Sequence, residues 1–203
     1  MALVKKSELD SGEQDSTAEA GGTDSGGTSD DTTMPDAVQE LDTASLVNRL
    51  RDGDSVATWQ DGALDNDATQ GTASRQPELI EDSGGSAVSF DGQDDVLRID
   101  NSESLNVGGP YEAKTLSIAF RPGEDVDSRQ VIYEQGGATR GLNVYVENGQ
   151  VHAGAWNLEE GNWGPLTLSG EVTPGSAHTL TLGLDANAGT FEAHLDGQSL
   201  GTR

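Results

Sequence analysis

The residues best suited to chemistry fall into two groups: rings and amides around one central turn, and carboxylates in two short loops. Tyr145, His152 and Trp156, with Asn143 close by and Trp163 a few residues on, are the types that bind sugars. A pyranose ring offers an apolar C–H face to an aromatic plane and a rim of hydroxyls to polar neighbours. Asp91, Asp94 and Asp95 surround Gly92, where a turn could gather carboxylates and backbone carbonyls around one hard cation such as Ca²⁺. Each group also has a purely structural reading. Trp156 could pack beneath the Leu158 to Pro165 loop as a satellite core, and Asp91 could cap its own turn while Asp94 and Asp95 stay solvated. Asp61, Asp65 and Asp67 form a second acidic loop whose spacing fails the EF-hand pattern.

Catalytic constellations are poorer. Glycoside hydrolysis needs two carboxylates about 5 to 10 Å apart, usually from alternate residues of one strand. No strand carries such a pair, and Glu159 and Glu160 are adjacent, so their side chains would point apart. His152, His178 and His194 sit at outward strand positions without a two-residue spacing to a second histidine, and are read as surface residues. There is no cysteine, so neither disulfides nor thiolate metal sites exist.

The elements that must position these groups are strands. Arg140 to Glu147 (RGLNVYVE) and Gln150 to Asn157 (QVHAGAWN) flank Asn148 and Gly149, the strongest short hairpin signal. A two-residue loop there sets Val146 against Val151, Val144 against Ala153 and Leu142 against Ala155 as a core face. The opposite face then pairs Tyr145 with His152, Asn143 with Gly154 and Trp156 with Gly141. A second hairpin alternates Leu180, Leu182 and Leu184 with Phe191, Ala193 and Leu195. Further strands are expected at Ala87 to Phe90, Val96 to Ile99, Lys114 to Arg121 and Gln130 to Gln135. Asp42 to Arg51 reads as one short helical turn, and Trp59 as core. With turn signals about every ten residues, the expected class is an all-β antiparallel sandwich.

The N-terminus reads differently. Residues 7 to 33 hold almost only Ser, Thr, Asp, Glu, Gly, Ala and Gln, so residues 1 to 36 are expected to be a disordered acidic tail ahead of a domain at 37 to 203. The first residues lack the apolar run of a signal peptide or membrane span. The formal net charge is -25, from 36 acids and 11 bases, with lysines at positions 5, 6 and 114. Such a field argues against nucleic acid and anionic lipid as partners, and fits a salt-adapted, hydrated surface or a calcium binder.

Several pieces in order resemble the laminin-G-like branch of the concanavalin A-like lectin and glucanase jelly rolls. Asp54 to Asp61 (DSVATWQD), Asn66 to Gln70 (NDATQ) and Pro77 are similar to the family's opening. Val88 to Leu97 (VSFDGQDDVL) is similar to its V-x-F-D-G-x-D-D-x-L strand and turn, and Tyr133 to Gly136, Gly141 to Val146, Ala155 to Asn157 and Leu195 to Gly197 to its central strands. The resemblance spans about residues 37 to 203. The family normally continues past the L-D-G hairpin with closing strands, so the domain is expected to be C-terminally truncated.

The resemblance implies a jelly roll and, by analogy, a non-catalytic carbohydrate-binding or adhesion module of a larger surface or secreted protein, with a glycan or polysaccharide as partner. A rim calcium ion is also implied, held by residues that vary across the family; in this chain the turn at Asp91, Asp94 and Asp95 is the candidate. The alternatives are a polysaccharide-degrading glycosidase or lyase on the same fold, although the glucanase E-x-D-x-E strand is absent, and a spacer domain without ligand.

Overall fold

The computed structural model describes residues 5–9, 37–82, 85–105, 113–158 and 163–203, with 5–9 and Asp82 described by their backbone. The chain runs through β1 (Lys5–Leu9), β2 (Ala37–Leu41), the helical turn α1 (Ala44–Val47), β3 (Thr58–Trp59), β4 (Ala68–Thr69), a short 3-10 turn (Ala73–Arg75), β5 (Glu78–Asp82) and β6 (Gly85–Ser89). It continues with β7 (Arg98–Ile99), β8 (Ala113–Phe120), β9 (Gln130–Gly136), β10 (Arg140–Glu147), β11 (Gln150–Asn157), β12 (Trp163–Glu171), β13 (His178–Asp185), β14 (Thr190–Leu195) and β15 (Gln198–Thr202). The class is all-β, and every strand pair is antiparallel.

Two sheets enclose the main core. One has the order β15-β14-β13-β8-β1-β2, and the other is the meander β12-β11-β10-β9. Asn148 and Gly149 take φ of 53° and 74°, the left-handed pair that matches the twist of the strands they join. That turn sets the register expected from sequence, with Val146 opposite Val151, Val144 opposite Ala153 and Leu142 opposite Ala155. All six are fully buried. From the other sheet Leu116, Ile118, Phe120, Leu180, Leu182, Phe191 and Ala193 complete the same cluster. Burying each large side chain contributes roughly 1.5–3 kcal/mol, so this period-two alternation makes the arrangement sandwich-like.

A second cluster gathers Leu41, Leu46, Val56, Trp59, Ala68, Leu79 and Val88. It is bounded by the small sheet β3-β4-β7 and the hairpin β5-β6. Trp59 is 1% exposed and donates Nε1–H to Asp42 O at 2.9 Å, so it is core. Asn66 and Gln70 serve as internal struts. Asn66 Nδ2 donates to Val38 O at 2.7 Å while Gln39 Nε2 donates to Asn66 O at 2.7 Å, and Gln70 Nε2 reaches Val96 O at 2.9 Å.

The N-terminal segment brings a difference from the expected tail. Lys5–Leu9 forms a strand between β8 and β2, with Lys6 opposite both Ile118 and Leu41. Pairing draws on backbone donors and acceptors along an open edge, so a polar composition that cannot build a core can still complete a sheet. The rest of the expected tail, residues 1–4 and 10–36, lies outside the described residues.

Candidate functional site

The outward face of the β9–β12 meander carries the rings and amides singled out above. Cross-strand rows define it. Tyr145 sits between Val131 and His152, and Asn143 between Glu134 and Gly154. Gly141 sits between Gly136 and Trp156. Asn143, Tyr145, His152 and Trp156 are thus brought to one surface, each half-buried.

Two glycines make room for the larger side chains. A Cβ on Gly141 would stand 2.8 Å from Trp156 Cη2, so the indole lies directly on the β10 backbone. Its Nε1–H donates to Gly137 O at 2.8 Å, which fixes the ring across β10 towards the end of β9. A Cβ on Gly154 would likewise collide with Asn143 Oδ1, so the amide lies across β11. The ring of Trp156 is therefore held on one side by backbone and tied at its nitrogen, a platform that loses little freedom when a ligand stacks on it.

Tyr145 has a different environment. His152 stacks on it with ring centroids 4.7 Å apart and planes at 14°, and the Arg129 guanidinium carbon lies 4.5 Å from its centroid. Arg129 is in turn clamped by Glu147, Nε to Oε1 at 3.1 Å and Nη2 to Oε2 at 3.0 Å. The hydrogen bond from Arg129 holds the Glu147 carboxyl below its ordinary range, and the same bond makes the Arg129 guanidinium harder to deprotonate. Tyr145 and His152 thus form a packed stack covered by an ion pair, and Trp156 lies in a separate row on Gly141. Arg129 and Glu147 were not singled out from sequence. Glu147 stands directly before the Asn148–Gly149 turn, whereas Arg129 precedes β9 and no local pattern sets it over Tyr145.

Trp163 does not join this face. It opens β12 opposite the buried Asn157 and packs against the main core, which places it on the inward side of the strand. Trp163 and Gly164 begin a strand, with a Cβ on Gly164 coming to 2.9 Å of Ala155 O, while residues 159–162 of the expected loop, Glu159 and Glu160 among them, lie outside the described residues.

The acidic loops are organised by their own backbones. Asp91 Oδ1 accepts N–H donors from Gln93 at 2.8 Å, Asp94 at 3.2 Å and Asp95 at 3.4 Å, while Asp95 Oδ2 accepts Asp91 N–H at 2.8 Å. The Gln93 donor leads in lowering the Asp91 pKa. Carboxylate oxygens of Asp91, Asp94 and Asp95 lie within 4.8 Å of one another. Asp61 is the hub of the second loop: Oδ1 accepts from Glu40 N at 2.6 Å and Ala63 N at 3.0 Å, and Oδ2 from Leu64 N and Asn66 N, both at 2.9 Å. Burial pushes the Asp61 pKa up, but these donors together outweigh it and the net direction is down.

The histidines separate. His178 Nδ1 lies 2.7 Å from Asp196 Oδ2, and its Nε2 accepts Thr173 N–H at 3.1 Å. A backbone N–H can only donate, so the ring proton sits on Nδ1 and points at Asp196. This pins the β12–β13 connection to the β14–β15 turn. His194 stands opposite Thr181, as its alternation requires.

Comparison with known proteins yields no match: no family model, no curated protein and no solved structure aligns with this chain. The chemistry of the face therefore rests on its own geometry. Among the described residues no helix is long and apolar enough to cross a membrane.

Proposed function

We propose that this protein is a non-catalytic carbohydrate-binding or adhesion module of a larger surface or secreted protein, built on a jelly roll of the concanavalin A-like, laminin-G-like kind. The observation that carries the reading is the Trp156 indole, seated on Gly141 and tied to Gly137 O on a sheet face shared with Asn143. A pre-set aromatic plane with an amide in the next row is what a sugar ring needs for stacking and hydroxyl recognition.

Binding is preferred to hydrolysis because the face offers a seated ring and an amide, whereas its Glu147 carboxylate is engaged by Arg129. Calcium enters the proposal as a staple for the β6–β7 turn, where the Asp91, Asp94 and Asp95 carboxylates stand close enough to share one cation.

The test is retention on insoluble polysaccharides. Retention that disappears in Trp156→Ala, with an unchanged circular-dichroism spectrum, is the expected result; sugar release from the matrix, or retention untouched by the substitution, contradicts it.

A further inference from the structure

The charges around Trp156 point to one chemical class of ligand. Glu134 is exposed on β9 directly opposite Asn143, on the same outward side, and Gly136 two residues along β9 stands in the row of Gly141 and Trp156. Same-side residues on a strand are about 6.6–6.8 Å apart, so Glu134 lies roughly one sugar ring away from the indole that reaches across Gly141 to Gly137. The row beyond Tyr145 adds Glu171 beside Gln150, while Glu147 on the other side is spent on Arg129. Arg129, the base over this surface, is already neutralised by Glu147. The face is therefore an aromatic plane with an acidic margin, set in a molecule of net charge -25.

Such a surface repels uronates and sulfated sugars and attracts a cation. A carboxylate beside an indole also suits an ammonium group, which pairs with the acid and gains from the ring's negative face. We propose that the ligand is a cationic glycan, a polymer of amino sugars with free ammonium groups, its sugar ring stacked on Trp156 and an ammonium paired with Glu134. This inference rests on the glycan-binding reading above and narrows it to a substrate class.

Calorimetric titration of the full chain with glucosamine oligomers, N-acetylglucosamine oligomers of the same length and oligomeric alginate tests it. The glucosamine oligomer should bind at least tenfold tighter than its acetylated counterpart, with alginate weakest. Glu134→Gln should bring the two hexosamines within about twofold of each other, and Trp156→Ala should weaken both tenfold or more. Glu192→Gln, on the outward side of β14 in the other sheet, should leave all affinities unchanged.

Equal affinity for charged and acetylated oligomers overturns the inference while leaving the glycan reading in place. The same holds if alginate binds tightest. A loss in Glu192→Gln as large as in Glu134→Gln means that polycations coat the acidic surface at large, and the assigned site is wrong. Binding of none of the three oligomers overturns the inference, and the reading beneath it falls as well only if retention on insoluble polysaccharides is also absent.

Discussion

The indole of Trp156 occupies the space that a β-carbon on Gly141 would need, with Cη2 2.8 Å from that position and Nε1 bonded to Gly137 O at 2.8 Å. Gly141 thereby acts as a seat. A side chain there would lift the ring from the sheet, break its hydrogen bond and unsettle the surface proposed to meet a ligand.

Gly141→Ala should therefore destabilise the fold by about 2 kcal/mol, the usual scale for forcing a methyl into a filled space. Trp59 is buried in the second core and Trp163 is partly buried against the first, so the rise in solvent exposure is assigned to Trp156 by repeating the measurement in a Trp163→Phe background. Chemical denaturation followed by tryptophan emission checks both; a stability within about 0.5 kcal/mol of wild type, the usual scatter of surface substitutions, contradicts the seat.

The acid limb of the stability curve should depend on Asp61. Its folded pKa is below the ordinary value of 3.8, so its contribution is present in full above that value and fades as the pH falls through the lower folded pKa. Asp61→Ala removes an acceptor of several backbone N–H groups and should cost about 2–3 kcal/mol at neutral pH. Urea midpoints of wild type and variant measured from pH 7 downward should converge as the pH falls below that lowered folded pKa, where both carry a neutral side chain. Parallel curves across that range contradict the assignment.

Much of the fold was legible because it rests on local rules. Asn148 and Gly149 demand a left-handed two-residue turn, and that turn fixes every pair from Arg140 opposite Asn157 to Glu147 opposite Gln150. The alternation of Leu180, Leu182 and Leu184 likewise leaves one register in which apolar faces meet. What stayed hidden depends on distant partners. β12 contains Gly164, Pro165 and Gly170, which demote a run read in isolation, yet an edge strand tolerates a missing donor. The pairing irregularity between Ala155 and Asn157 turned Trp163 inward, and no local pattern announces such a shift. The β1 strand was invisible for a related reason, since its pairing uses backbone and leaves no apolar signature.

Ser7→Pro tests that strand. Ser7 stands opposite both Glu40 and Ser117, so a proline there removes a donor in a strand paired on both sides. A melting temperature lowered by about 5 °C or more is expected. An unchanged value means that the N-terminal segment does not hold the gap between β8 and β2.

Calcium should raise the melting temperature by about 2–4 °C at millimolar concentration relative to EDTA. Because a chain of net charge -25 gains from any added cation, the comparison requires sodium at equal ionic strength. The increment should vanish in the double variant Asp94→Ala, Asp95→Ala. A rise matched by sodium, or retained in the variant, leaves Asp91 as a turn cap alone.

The most direct test of the binding surface follows the indole N–H resonances of the three tryptophans during titration with soluble oligosaccharides. The resonance of Trp156 should move with saturation while those of Trp59 and Trp163 stay in place. Saturable binding that leaves Trp156 unmoved would contradict the account, and so would a Trp156 resonance already exchanging freely with water, as an unseated ring would.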